Sequence, residues 1–361
     1  MNAEVRRRIF DLIRSNPQYS GYSVTGLLDH GWTGEGLWSL WRRFKPEVYD
    51  AVCDGWAPLR FCLFAKNHVF SGEKFEMEAV LANECVLPAG SYVADFAITS
   101  EEGTIEMWSE PFEIQDDAFA VPVMKKTISL DQKSGKYSLI AYLKGASPLG
   151  NKLDFYLTSK EDLHTDAEVV VCGLQDTTVQ FLKSIGATLK TFTGEEKSLI
   201  LAGGQVTEND IKALRQAAEN GARVWFINYE AFWGENKDHL KLLHIAEDLR
   251  LKENMEWLYH KESVLADNKI FHGLGHGLLD QKRFGQVVTN KCFETGIVPD
   301  EVICPAFYTG YHGYPGGYAC VHNAFGVKCG EGSIYLMTFE LEKNLEKEPA
   351  AGVMLRNLAE K

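Results

Sequence analysis

Apolar residues along this chain change their spacing twice, and the two changes limit what it can fold into. Near the start they recur at helical intervals. Val5, Ile9, Leu12 and Ile13 share one face of a helix expected over residues 3–15 and ended by Pro17. A second short helix is expected from Pro46 to Cys53, packing through Val48, Tyr49 and Val52 and stopping near Gly55. From Ala57 the period becomes two. Phe75, Met77, Ala79 and Leu81 alternate with polar or outward residues, as do Tyr92, Ala94, Phe96 and Ile98, and then Tyr137, Leu139, Ala141 and Leu143. Turn signals at Pro88-Ala89-Gly90, Glu101-Glu102-Gly103 and Lys133-Ser134-Gly135 separate these runs. Short strands at that spacing predict a β-sandwich over residues 57–160.

The second change comes at Ala167. Glu168 to Gly173 reads as a buried strand running into a glycine turn, and Thr177 to Ile185 as a helix. Ser198 to Gly204 is a second buried strand, Glu208 to Asn220 an amphipathic helix N-capped by Thr207 and closed by Gly221, and Val224 to Ile227 a third strand. Strands and helices alternating over short connections predict a parallel, doubly wound, three-layer α/β domain over residues 165–361. Its signal weakens after residue 230, with strands expected near Glu301–Phe307 and Ser333–Phe339 and a closing helix over residues 349–360.

Composition narrows the function classes. The chain has 361 residues with 37 basic and 50 acidic side chains, so its formal charge is 37 − 50 = −13. That charge opposes nucleic acid and anionic membrane surfaces as partners. No apolar run is long enough to span a bilayer, and the basic N-terminus lacks the apolar core of a signal peptide. The eight cysteines form no C-x-x-C pair and several lie inside apolar runs, as in Val170-Val171-Cys172 and Phe61-Cys62-Leu63. This is the usage of reduced, buried thiols, so a cytoplasmic location is expected.

Residues 21–46 stand apart. A short apolar run from Tyr22 to Leu28 is followed by a Gly-rich polar turn holding Asp29, His30, Trp32 and Glu35. A helix is then expected through Leu37, Trp38, Leu40, Trp41 and Phe44. Strand, loop and helix make one βα unit, which cannot bury its own faces. With Gly21-Tyr22, the Thr25 to Asp29 run, Gly34-Glu35-Gly36-Leu37, and Arg42 followed by Lys45-Pro46, the stretch resembles the last βα unit of the (β/α)8 barrel in glycoside hydrolase family 2, the β-galactosidase and β-glucuronidase group. One position departs: Thr25 stands where many members carry a tryptophan.

The resemblance implies three modules: residues 1–56 as the end of a barrel, 57–160 as an immunoglobulin-like β-sandwich, and 165–361 as a class I glutamine-amidotransferase-like α/β module. It also implies retaining hydrolysis by two glutamates about 5 Å apart. Neither glutamate has a match in this chain, so no catalytic residue is assigned. Asp29, His30, Trp32 and Glu35 would lie at the C-terminal face of a barrel, where an aromatic ring can stack on a sugar and a carboxylate can hold a hydroxyl. Equally, Asp29 can cap the turn and Trp32 can pack. The aromatic, Gly-rich stretch with Tyr308, Tyr311, His312 and Tyr314 offers a glycan or partner platform or a packed excursion.

Other candidates carry less. Cys172 ends a strand, but the Gly-x-Cys-x-Gly elbow of an amidotransferase is missing, so a buried structural thiol is expected. Gly203-Gly204 before a helix could bind an anion, yet the G-x-G-x-x-G spacing is absent. His272 and His276 copy zinc spacing without the glutamate and with two glycines between them, so no metal is expected. Glu340, Glu342 and Lys343 read as a solvated face. The first reading is therefore the C-terminal portion of a family 2-like glycosidase, without its catalytic pair and inactive alone. It needs no cofactor, takes a β-glycoside only in a completed barrel, and pairs with a second copy or a missing N-terminal half. Two readings stand beside it: a non-catalytic carbohydrate-binding or scaffolding protein, and a thiol-dependent hydrolase using Cys172.

Overall fold

A computed structural model describes residues 2–19, 21–24, 26–29, 36–116, 118–253, 262–309 and 318–360; at 308, 309, 318 and 319 it describes the backbone. The chain is mixed α/β, rich in sheet, and divides into two units, Met1–Ser159 and Lys160–Lys361.

In the first unit, helices α1 (Asn2–Arg14) and α2 (Pro46–Gly55) stand where the two helices were expected, but Tyr49, expected to pack, is exposed. They bury Ala3, Phe10, Val48, Ala51 and Val52 together with Leu37. Eight strands follow: β1 (Leu59–Ala65), β2 (His68–Phe70), β3 (Lys74–Asn83), β4 (Gly90–Ser100), β5 (Gly103–Ile114), β6 (Ala120–Ser129), β7 (Gly135–Leu143) and β8 (Lys152–Thr158). They form two sheets, ordered β1-β3-β6 and β2-β8-β7-β4-β5. The alternating apolar residues meet between them: Phe61, Met77, Ala79 and Leu81 from one sheet face Ala94, Phe96, Ile98, Leu139, Ala141 and Phe155 from the other. Period-two patterning puts one set of side chains on one face, and burying that face from two sheets makes a sandwich.

Residues 21–45 depart from expectation. Among the described residues there is neither a strand before Asp29 nor a helix over 37–44, so the expected βα unit is not formed there. Instead isolated bridges join Leu28 to Trp38 and Trp38 to Phe44. The chain reverses at residues 39–43, where the Ser39 N–H donates to the Arg43 carbonyl at 2.7 Å and Arg42 takes a left-handed φ of 58°. Apolar spacing that suits a helix also suits this reversal: Leu37 turns inward while Trp41, 80% exposed, is left to solvent. Gly36 is required because a Cβ there would collide with the backbone of Leu28 and Asp29.

The second unit contains β9 (Glu168–Cys172), α3 (Asp176–Ser184), β10 (Thr188–Thr191), β11 (Leu199–Ala202), α4 (Glu208–Glu219), β12 (Arg223–Phe226), β13 (Arg250–Glu253), β14 (Glu262–Leu265), β15 (Gly277–Leu278), α5 (Gln281–Phe284), β16 (Lys291–Glu294), β17 (Glu301–Thr309), β18 (Tyr318–Cys329), β19 (Gly332–Met337) and α6 (Pro349–Ala359). The parallel part runs β10-β9-β11-β12-β19, in chain sequence 2-1-3-4-5, a common doubly wound order. Antiparallel β18, β17, β14 and β15 extend it, with β16 and β13 off the main path.

One face of the parallel part packs Ile200, Ala202, Val224, Phe226, Ile334 and Leu336 against Ile211, Leu214, Ala217 and Ala218 of α4. Val169, Leu201 and Trp225, of opposite parity, are also buried, as strands of a parallel sheet covered on both faces must be. Helix α4 opens with a capping box. The Asp210 N–H donates to Thr207 Oγ1 at 3.3 Å, and the Thr207 N–H donates to Asp210 Oδ2 at 2.8 Å. Thr207→Ala should therefore destabilise this unit by about 1 kcal/mol in denaturant melts, with the fold retained.

Candidate functional site

One set of buried polar residues converges at the carboxyl ends of the parallel strands. There β9 runs into Gly173 and β11 into Gly203-Gly204, and the two turns touch. A Cβ on Gly173 would stand 2.7 Å from the Val206 nitrogen, and one on Gly203 would strike the Gly173 carbonyl. Glycine at both places lets the turns meet. Residues after β19 fold back over this edge and carry Glu342 into it. The Glu342 carboxylate is 3% exposed. Its Oε1 accepts from the Gln175 N–H at 2.8 Å and from the Thr178 hydroxyl at 3.1 Å. Its Oε2 accepts from the Gly204 N–H at 3.1 Å and from Asn228 Nδ2 at 2.7 Å. Asn228 is itself fixed, its Oδ1 accepting the Glu230 N–H at 2.9 Å.

This corrects the reading of Glu340, Glu342 and Lys343 as one solvated face. Glu342 turns inward because buried donors must be satisfied, and three of its four partners, two backbone N–H groups and an amide, can only donate there. Beside it, Tyr229 donates to Glu340 Oε1 at 2.9 Å, and Lys343 reaches Glu230 at 2.6 Å and Glu340 at 3.1 Å. Burial, then the Glu340 carboxylate, pushes the Tyr229 phenol up to about 12, so it remains a donor at neutral pH. The hydrogen bond to Glu230 is the largest influence holding the Lys343 ammonium above its ordinary range. Each of these groups already has an internal partner.

The residues assigned from the barrel resemblance are dispersed or undescribed. Asp29 is half-buried and holds its own turn: Oδ1 accepts from the Gly36 N–H at 2.9 Å and from Lys45 Nζ at 2.7 Å. His30, Trp32 and Glu35 lie outside the described residues, as do Tyr311, His312 and Tyr314, and at Tyr308 only the backbone, in β17, is described. Among the described residues no group of three or more His, Cys, Asp or Glu side chains could hold a metal ion. Nor is any described helix long and apolar enough to cross a membrane.

Burial, with a smaller push from Asp210, raises the Cys172 thiol to about 12. A raised value keeps the group as thiol through pH 7 to 9, the reverse of an activated nucleophile. A mild alkylating reagent at neutral pH should therefore leave Cys172 unmodified while the exposed Cys53 and Cys85 react, as peptide mass mapping would show.

Sequence reasoning missed Glu342 and Asn228. The one available signal was Gly203-Gly204 ahead of a helix, read as a possible anion site without a ligand.

No protein-family model matches this chain, and no curated protein matches it. Solved structures match parts of it. The CARDB domain of the PF1109 protein from Pyrococcus furiosus is 14% identical over 28% of this chain and 87% of that one, with a TM-score of 0.22. The Pseudomonas fluorescens alkylpurine DNA glycosylase AlkC is 16% identical over 32% of this chain and 33% of that one, with a TM-score of 0.23. The Bacteroides uniformis β-glucuronidase 2 is 7% identical over 53% of this chain and 30% of that one, with a TM-score of 0.20.

Proposed function

We propose that this chain is the non-catalytic C-terminal portion of a retaining β-glycosidase of the family 2 kind, inactive by itself, and that residues 1–56 dock against a catalytic barrel. The observation that carries the reading is the uncovered apolar surface of those residues. Val5, Ile9 and Leu12 form an exposed stripe on α1, and Leu27, Leu40, Trp41, Phe44, Tyr49 and Trp56 are exposed as well. Single exposed apolar residues need no explanation, but such a concentration within one short segment marks a surface that another body covers.

Three further features support it. The motif residues of 21–46 resemble the end of a family 2 barrel, a sandwich and then an α/β unit follow in that order, and the carboxylates gathered at the sheet edge, Glu342 and Glu340, are occupied by internal donors.

Light scattering of the purified chain tests the docking surface. The expected result is reversible self-association, with the exposed faces covering one another, which Leu12→Ser together with Trp41→Ser reduces to monomer without changing the circular dichroism spectrum. A wild-type chain that stays monodisperse and monomeric at high concentration would count against the surface.

A further inference from the structure

Doubly wound sheets hold their ligands in the crevice at the carboxyl ends of the strands, where the strand order reverses. In this chain that place lies between β9 and β11, and a carboxylate already sits in it. Four donors from four separate positions close on it in two pairs, Gln175 N–H with Thr178 Oγ1 and Gly204 N–H with Asn228 Nδ2, at 2.7 to 3.1 Å. We propose that this crevice is a binding site for small carboxylates, which the chain fills with its own Glu342, so that residues 338–348 act as a tethered ligand closing the site.

The donors are set in place independently of the carboxylate. Asn228, 2% exposed, is anchored through its Oδ1 to the Glu230 N–H, which leaves its amide nitrogen aimed at the crevice. Thr178 is fully buried on the first turn of α3, and the positive end of that helix dipole favours an anion at Gln175. Gly173 and Gly203 hold the turns too close for a Cβ, which fixes the Gly204 N–H. Two oxygens, each meeting two donors, match a planar carboxylate. A tetrahedral oxyanion would bring further oxygens that these donors do not serve.

The test is formate binding to the full chain carrying Glu342→Ala, which vacates the cradle. The variant should melt below wild type. Added sodium formate should raise its Tm in proportion to the logarithm of concentration once the site fills, whereas sodium chloride at matched ionic strength should not. Wild type should not respond to formate, and adding Asn228→Ala to the variant should weaken the response. If the variant does not fold unaided, its refolding yield becomes the readout, and formate but not chloride should raise it. Equal responses to formate and chloride, or none in either readout, would overturn the proposal.

Discussion

Glu342→Ala lowers the unfolding free energy of the 160–361 unit by about 4 kcal/mol in denaturant melts, among the largest effects expected of any single change in the chain. The cost does not come from lost apolar area. It comes from stranding Asn228 Nδ2, the Thr178 hydroxyl and the Gly204 and Gln175 N–H groups in a place with little access to water. Each unsatisfied buried donor costs about 1 to 3 kcal/mol, and the sum is less than additive because water can enter the space left behind. Glu342→Gln separates charge from shape. Its amide keeps one accepting oxygen but points an NH2 at a pair of donors, so it should lose about half as much. A Glu342→Ala protein with wild-type stability would mean that the four hydrogen bonds contribute nothing net.

Arg60→Ala should cost the first unit about 3 kcal/mol and release α1. Arg60 is 1% exposed and its Nη2 lies 2.5 Å from Asp11 on α1 and 3.7 Å from Asp54 on α2, with Nε donating to the Phe61 carbonyl. Removing one partner from a buried ionic cluster leaves the other charges uncompensated, which is where the loss of stability arises. Arg14 secures the same helix by a second route, donating to the carbonyls of Gly55 and Ala57 and pairing with Glu84 at 2.9 Å. Helix loss should therefore be partial. Trypsin cleavage at Arg6, Arg7 and Arg8 should accelerate in the variant while the sandwich remains protected. Unchanged cleavage at those sites would show that Arg60 does not hold α1.

Much of this architecture was legible because it depends on burial patterns that sequence displays directly. Tyr92, Ala94, Phe96 and Ile98 alternate because β4 turns one face to the sandwich core, and Val169-Val170-Val171 is continuously apolar because β9 is buried on both faces. The N-cap of α4 was legible at Thr207, and the structure adds the reciprocal bond from its N–H to Asp210 that completes a capping box.

Two features were not legible, for different reasons. Between residues 37 and 44 the apolar spacing is degenerate: a helix and a reversal both place Leu37 inward, and the choice is made by the close crossing at Gly36 and the left-handed turn at Arg42. At Glu342 the deciding partners are two backbone N–H groups together with side chains more than a hundred residues away in sequence, Asn228 and Thr178. No local pattern distinguishes such a glutamate from its solvated neighbours.

The proposed function turns on whether this chain has a hydrolytic centre of its own. Hydrolysis of a panel of aryl β-glycosides, including galactosides and glucuronides, by the purified 361-residue protein measures that directly. The account predicts a rate no higher than that of the uncatalysed reaction, because the proposed reading assigns the nucleophile and acid glutamates to a separate catalytic barrel. Turnover that follows the protein through purification and saturates with substrate would contradict it.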